Sequence, residues 1–184
     1  MIPQPLRPTF YIRDMRTLLV LRHGKSDWSA DYDRDHNRPI AKRGRRASKL
    51  MGKYLASIDT IPDHVLTSSA TRARQTVELA SEAGRWECPV RVTEQLYGAS
   101  VDGVIDEIRS ESDSTGTLLI AGHEPTWSSL VSALSGRSIS HFPTAAIACI
   151  KFDVDRWSEI DYESGRLAWH VTPKQLKQEG FEGS

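Results

Sequence analysis

The sequence lacks the features that mark membrane-spanning, secreted and disulfide-stabilised proteins. No apolar run approaches the length of a transmembrane helix, and the N-terminal stretch has three prolines but no continuous apolar segment of a secretory signal. The two cysteines, Cys88 and Cys149, stand far apart without CxxC spacing, which argues against a disulfide framework and a zinc ribbon. We therefore expect a soluble, cytoplasmic protein.

An excess of one charge is also missing, since 24 lysines and arginines balance 24 aspartates and glutamates. This balance argues against nucleic acid or an acidic membrane surface as a partner that is recognised mainly through charge. The 184 residues, with 39% hydrophobic content, suit one domain with a buried core.

The order of patterns along the chain predicts an α/β domain with a mainly parallel sheet, because strands alternate with helices. Uninterrupted apolar runs at 17–21 and 117–121 are typical of strands buried on both faces. Short strands are predicted at 64–67 and 90–92, and further strands at 145–152 and 166–170, with a weaker candidate at 157–162. Amphipathic helices are predicted at 41–57, 69–83, 102–110 and 125–134, the last with proline at its first helical position.

The domain is expected to span 17–171. Three prolines predict an extended N-terminal arm over 1–16, and 172–184 is expected to be a loose polar tail.

Three of the predicted strands are followed by residues of unusual chemistry. The segments are Arg22-His23-Gly24, Ser68-Ser69 with Arg72 in the next helix turn, and Gly122-His123. Ligand sites of open α/β sheets lie outside the carboxyl ends of the parallel strands. If the three strands are neighbours, two histidines and two arginines meet at one rim of the sheet.

Each of these residues also has a structural interpretation. Arg72 opposes the helix dipole and could simply face solvent, His23 could be a satisfied core histidine, and His123 could be a turn residue. A bound anion would make the position of Arg72 favourable, because backbone N–H groups and a guanidinium would both face it. Gly24 permits a close backbone approach that packing alone does not require.

The chemistry of the four side chains favours phosphate over a metal ion. Zinc and iron sites need three or four ligands, usually with a closely spaced pair, and the arginines would repel a cation. An arginine fork binds phosphate through two parallel hydrogen bonds. A neutral imidazole can attack phosphorus, and a second one can hydrogen-bond the phosphoryl group in transit. The sequence therefore predicts a phosphoryl site without metal or cofactor.

Three segments together resemble the signature motifs of the histidine phosphatase superfamily, also called the phosphoglycerate-mutase-like fold. They are the RHG signature within 21–26, an S-x-x-x-R-x-x-Q-T helix start at 68–76, and GHxP at 122–125. The resemblance spans roughly 17–171 and implies a three-layer sandwich whose central, mainly parallel sheet is flanked by helices. The small size and the segments 38–40, 94–100 and 142–148 are most similar to the SixA-type phosphohistidine phosphatases.

This resemblance implies roles for four residues of the strand ends. His23 would be the nucleophile, and Arg22, Arg72 and His123 would form the phosphate pocket. Glu94 lies in a context similar to the N-E-x-x-Y-G of mutase relatives, which makes it the candidate acid for the leaving group; the alternative is a surface carboxylate. An imidazole that leaves from phosphohistidine is easier to expel than an oxygen, so a strong acid is less necessary.

Three further residues are the candidate substrate-binding side chains at the mouth of this pocket: Ser26, Lys25 and Arg38. The alternatives are a loop cap for Ser26 and a solvated loop for its neighbour Lys25. The remaining histidines, at 36, 64, 141 and 170, are expected to be surface or structural residues.

The resemblance implies a metal-independent phosphohydrolase that acts on a phosphorylated protein, such as a histidine-phosphotransfer domain. Two alternatives stay open, namely a phosphatase of a small phosphorylated metabolite and a non-catalytic module that recognises phosphate. Nucleic-acid binding through the basic cluster at 43–46 is a third, against which stand the zero net charge and the absence of interleaved aromatic residues.

Overall fold

A six-stranded sheet forms the centre of the molecule in the computed structural model, which describes residues 15–139 and 141–181. The strands are β1 (Arg16–Arg22), β2 (His64–Ser68), β3 (Val90–Thr93), β4 (Thr117–Gly122), β5 (Ile147–Phe152) and β6 (Gly165–Val171). Their order across the sheet is β3-β2-β4-β1-β5-β6. Among these strands β5 alone runs in the direction opposite to the other five, so the expected mainly parallel sheet is confirmed.

Helices cover both faces of the sheet. They are α1 (Lys42–Ser57), α2 (Thr71–Gly84), α3 (Val101–Arg109), α4 (Thr126–Ser135) and α5 (Pro173–Gln178). Successive side chains of a strand point to opposite faces, and β1 shows this directly: Leu18 and Val20 pack with α3 and α4, whereas Leu19 and Leu21 pack with α1 and α2. The expected three-layer sandwich is therefore confirmed.

Two adjacent helices of one layer, α1 and α2, approach each other closely at Gly52. A Cβ atom built on Gly52 would lie 2.0 Å from the carbonyl oxygen of Ala80, so the helix backbones touch where a side chain would separate them. None of the described helices is both long and apolar enough to cross a membrane.

Two predicted elements are wrong. The segment 157–162 holds a single 3₁₀ turn (Trp157–Glu159) instead of a strand, because the carboxylate of Glu159 accepts the backbone N–H groups of Asp155 and Arg156 and closes the chain into a turn. The tail is not loose over Pro173–Gln178, which forms α5. Its first turn is capped by Thr172, and Leu176 is buried against the α1–α2 layer.

Three smaller differences concern boundaries. The predicted arm lies outside the described residues except for its end, where Arg16 already belongs to β1 and donates a hydrogen bond of 3.3 Å to the carbonyl of Thr115. Pro125 is the cap of α4 and not its first helical residue. Strand β5 begins at Ile147, two residues later than expected, since Ala145 has a positive φ of 61°.

Candidate active site

The carboxyl ends of β1, β4 and β2 lie side by side, because these strands are adjacent in the sheet. Arg22 at the end of β1 is in register with Gly122 at the end of β4, and the backbone N–H of His23 donates to the carbonyl of Gly122 at 3.0 Å. On the other side of β4, the hydroxyl of Ser68 lies 2.8 Å from Nε2 of His123. The expected convergence of the strand ends at one rim is therefore present.

A cavity of about 270 Å³ opens at this rim. Its walls include Arg22, His23, Lys25, Ser26, Trp28, Arg38, Arg72, His123, Glu124 and Thr144. Seven of the eight candidate site residues thus share one cavity. Four cationic side chains and a single carboxylate stand among these lining residues, so the field inside the cavity is positive and favours an anion.

His23 lines this cavity as a neutral imidazole. Its side chain is almost buried, with 8% exposed, and its Nδ1 lies 2.7 Å from the carbonyl oxygen of Gly24. A carbonyl can only accept, so Nδ1 carries the proton and Nε2 keeps a free lone pair. Burial lowers the pKa of His23 to about 4. The hydrogen bond to Gly24 raises this pKa, whereas the charges of Arg72, Arg22 and Arg38 lower it further.

His123 is the second imidazole of the cavity. Its ring centroid lies 5.1 Å from that of His23, and the two planes are tilted by 51°. Burial, followed by the positive charge that His23 and Arg72 would contribute, lowers the pKa of His123 to about 3. Both rings are therefore neutral at physiological pH.

Three buried nitrogens in the cavity wall have no hydrogen-bond partner within the described part of the chain: Nε of Arg22, Nε of Arg72 and Nδ1 of His123. Buried polar groups are nearly always paired in folded proteins, and each unpaired one costs free energy. Unpaired nitrogens around one positive cavity fit the oxygens of an incoming oxyanion.

Arg72 is buried, which excludes the interpretation that it simply faces solvent. It lies in the first turn of α2, where its Nη1 donates to the backbone carbonyl of Asp35 at 2.7 Å and its Nη2 lies 3.1 Å from the Asp35 carboxylate. The same carboxylate lies 2.8 Å from Nη2 of Arg38. Burial would raise the pKa of Asp35, but Arg38 and Arg72 together outweigh this and lower it. Asp35 thus holds two of the cavity's guanidiniums in place.

The loop that carries His23 rests directly on α1. A Cβ atom on Gly44 would lie 2.4 Å from the carbonyl oxygen of Lys25, so only glycine allows this approach. The backbone N–H of Gly24 also donates to the hydroxyl of Thr76 on the adjacent helix α2 at 2.8 Å. Both helices therefore fix the backbone beside His23.

Glu94 does not line this cavity. It is exposed and belongs to the wall of a second cavity of about 600 Å³, together with Arg34, Asp35, His36, Ser69 and Tyr97. The ring of Tyr97 lies between the two sites, with its centroid 5.6 Å from that of His123 and 4.9 Å from that of His36. The role of Glu94 as an acid remains a prediction.

Sequence reasoning missed several residues in the site and beside it. Asp35 and His36 come from the polar loop after β1, where no periodicity marks a position, although a carboxylate three residues before Arg38 was a usable signal. Glu124 follows His123 directly, and its carboxylate is held by the backbone N–H and the hydroxyl of Ser128, at 3.0 and 2.9 Å. Across residues 15–139 and 141–181, no three His, Cys, Asp or Glu side chains are grouped so that they could hold a metal ion.

Fold and cavity together define an α/β sandwich with a positively charged cavity that is lined by two neutral histidines. Comparison with known families gives this class a name. The chain belongs to the histidine phosphatase superfamily, whose branch 1 sequence model matches residues 18–103.

Individual proteins are similar to this chain over most of its length. An uncharacterized protein of Mycobacterium leprae strain TN is 40% identical over 164 residues, which cover 82% of this chain and 99% of that protein. Phosphohistidine phosphatase SixA of Escherichia coli K12 is 26% identical, with 87% of this chain and 96% of SixA covered. A solved structure of the protein histidine phosphatase SixA complexed with tungstate superimposes with a TM-score of 0.76 at 25% identity, covering 87% of this chain and 99% of that one.

Proposed function

We propose that the protein is a metal-independent phosphohydrolase that forms a phosphohistidine on His23, and that its substrate is a phosphohistidine of another protein. The observation that carries the proposal is the state of His23. Its Nδ1 proton is held by Gly24, which leaves a nucleophilic Nε2 in a cavity rich in guanidinium groups. An imidazole in this state needs no separate base before it attacks phosphorus.

Binding of the phosphoryl group uses the positive cavity. Arg22 and Arg72 line the cavity and offer guanidinium N–H donors to its oxygens. The hydroxyl of Ser68 accepts the N–H of Ala70 at 3.3 Å, so its own proton can point to Nε2 of His123. In that arrangement Nδ1 of His123 carries a proton and becomes a third donor to the phosphoryl oxygens.

Transfer then proceeds in two displacements. In the first, the Nε2 lone pair of His23 forms a bond to phosphorus while the bond between phosphorus and the substrate imidazole breaks. The electron pair stays on the leaving imidazole nitrogen, which takes up a proton. In the second, a water oxygen attacks phosphorus, the bond to Nε2 breaks, and its electron pair returns to His23 as the water gives up a proton and phosphate leaves.

Two observations support a protein as the substrate. The connections around the cavity add no large covering element: β4 and α4 are joined by residues 123–125 alone, and the longer described stretch 23–41 between β1 and α1 includes only the single-turn helix Asp35–Asn37. A folded partner could therefore bring its phosphohistidine to His23. The second observation is the similarity to SixA, a phosphohistidine phosphatase by name.

Protonation of the leaving group is the step at which Glu94 could act, through the second cavity beside Tyr97. A phosphate monoester needs this proton far more than a phosphohistidine does. Glu94→Gln is therefore expected to reduce turnover of a monoester by more than it reduces turnover of phosphohistidine. Equal losses on both substrates would contradict the role.

The experiment that tests the proposal compares the purified protein on a phosphohistidine-bearing protein and on a panel of sugar phosphates, nucleotides and p-nitrophenyl phosphate, with and without EDTA. We expect the highest kcat/KM on phosphohistidine and no effect of EDTA. Preference for a monoester would favour the metabolite alternative, and strong inhibition by EDTA would contradict the metal-independent mechanism.

A further inference from the structure

Helix α1 concentrates positive charge in a chain whose net charge is zero. It contains six of the 24 lysines and arginines and none of the 24 acidic residues: Lys42, Arg43, Arg45, Arg46, Lys49 and Lys53. The first five of these side chains are exposed. Because acidic residues elsewhere balance the total, the molecule has one strongly positive face that its overall charge conceals.

This positive helix begins at the mouth of the active-site cavity. The backbone N–H of Ala41 donates to the carbonyl of Lys25 at 2.8 Å, and Ser26 forms an isolated antiparallel bridge with Ile40. Lys25 and Ser26 both line the cavity. The N-terminal end of α1 therefore lies next to the cavity wall.

Farther along α1, the same face borders a groove of about 610 Å³ between α1 and α5. Its walls are Arg46, Lys49, Leu50, Lys53, Lys177 and Phe181. Leu50 is buried and Phe181 is half-buried against the ring of Tyr54, so the groove has an apolar floor between cationic rims. One rim cation, Lys49, lies 3.9 Å from Glu82, at the length limit of an exposed ion pair, which contributes little.

We propose that the exposed face of α1 and this groove form a docking surface for an acidic patch on the phosphorylated protein substrate. The inference rests on the proposed function, since it assigns the partner surface that accompanies the phosphohistidine at His23. Complementary charge accelerates encounter and orients the partner, and the apolar floor offers a place for one hydrophobic side chain of the acidic patch. Nucleic acid fits this surface less well, since Phe181 is the single aromatic side chain among the described residues that line the groove, and one ring does not form an array for base stacking.

The test uses synthetic phosphohistidine peptides that share one core and differ in a flank of glutamates or of uncharged residues. We expect the acidic flank to raise kcat/KM by about tenfold at low salt, with the advantage lost at high ionic strength. Arg46→Glu/Lys49→Glu should abolish the advantage while leaving turnover of p-nitrophenyl phosphate unchanged. The milder Arg46→Gln/Lys49→Gln removes the two charges without reversing them and should reduce the advantage. It keeps the proposal testable if the charge-reversed variant does not fold.

A matched control, Arg85→Glu/Arg137→Glu, reverses the charge of two exposed side chains at the other end of the molecule. These residues follow the C-terminal ends of α2 and α4, helices whose N-terminal ends lie at the site, and the control should keep the preference for the acidic flank. Equal turnover of both peptides by the unmodified protein would overturn the docking surface but leave the proposed function intact.

If no phosphohistidine peptide is turned over, the proposed function fails while the surface is still tested by binding. Fluorescence anisotropy of the unphosphorylated acidic peptide should then show binding that Arg46→Glu/Lys49→Glu removes and the control retains. Absence of that binding, or binding of an oligonucleotide in its place, would overturn the inference.

Discussion

The ring of His23 is anchored to the backbone of its own neighbour: Nδ1 lies 2.7 Å from the carbonyl oxygen of Gly24. This contact fixes both the tautomer and the plane of the imidazole, because the donor nitrogen must face the carbonyl. Gly24 is in turn held by Thr76 from α2, and a Cβ on Gly24 would lie 3.0 Å from Ser48 on α1. The nucleophile is therefore oriented by the fold itself before any substrate arrives.

Replacement of His23 should remove activity without unfolding the protein. We expect His23→Ala to lower turnover by at least about 10³-fold, because no other group in the cavity offers the nucleophilic nitrogen. Circular dichroism and thermal unfolding should remain near those of the unmodified protein. The control His141→Ala changes an exposed histidine that does not line the cavity and should keep full activity. Retained turnover in His23→Ala would remove the nucleophile assignment.

Arg72 should contribute to oxyanion binding and to turnover together. Arg72→Ala deletes a guanidinium with an unpaired Nε, and we expect the Kd for tungstate to rise by about tenfold or more. Arg74→Ala is the matched control, since Arg74 lies two residues farther along α2 and is exposed. Isothermal titration and kinetics measure both effects. Unchanged tungstate binding in Arg72→Ala would show that this side chain does not meet the anion.

The lowered histidine pKa values predict that activity persists to an unusually low pH. His23 must be unprotonated to attack, so kcat/KM for a monoester should hold as pH falls through 6.5 and decline only near the folded pKa of about 4. A decline centred near 6.5 would contradict the assignment of a buried neutral nucleophile.

The lowered pKa values of His23 and His123 also make the stability of the protein depend on pH. Between pH 6.5 and about 4 the unfolded chain protonates His23 and His123 while the folded protein does not. The contribution of these two groups to stability is therefore complete above pH 6.5 and is lost as pH falls towards the folded values. Denaturant unfolding at several pH values measures it, and a lower midpoint is expected at pH 5 than at pH 7.5.

The contact between α1 and α2 gives a prediction that is independent of catalysis. Gly52→Ala places a methyl group 2.0 Å from the carbonyl oxygen of Ala80 and should lower the free energy of unfolding by about 1–3 kcal/mol or more. Gly103→Ala on α3 meets only the hydroxyl of Ser100 at 3.4 Å and should be neutral or stabilising by about 0.5–1 kcal/mol. Urea unfolding of both variants is the measurement. Equal effects would show that α1 and α2 are farther apart than described.

Much of the fold could be predicted because its strands and helices have strong local patterns. The apolar runs of β1 and β4 identify strands buried on both faces. That the two strands are neighbours in the sheet is a condition of the predicted site, and the structure supplies it. Residues 157–162 could not be assigned, since the carboxylate of Glu159, and not hydrophobic alternation, decides their turn. The helix Pro173–Gln178 was missed because its stability depends on a capping box and on one buried leucine.

The candidate site likewise contains residues that the sequence could identify and residues that it could not. Arg22, His23, Arg72 and His123 could be identified because each follows a strand with a recognisable pattern. Asp35 could not, since its position between Arg38 and Arg72 depends on the path of a loop without periodicity. Glu94 matched a motif, yet its side chain lies on the second cavity, because the short 3₁₀ helix Glu94–Leu96 buries Leu96 and exposes the glutamate.

The most direct test of the central claim is a crystal structure of the protein with vanadate, which mimics a phosphoryl group in transit. We predict a bond from vanadium to Nε2 of His23, with the equatorial oxygens contacted by Arg22, Arg72 and Nδ1 of His123. Vanadate bound elsewhere on the protein, or held in the cavity without a bond to His23, would contradict the account.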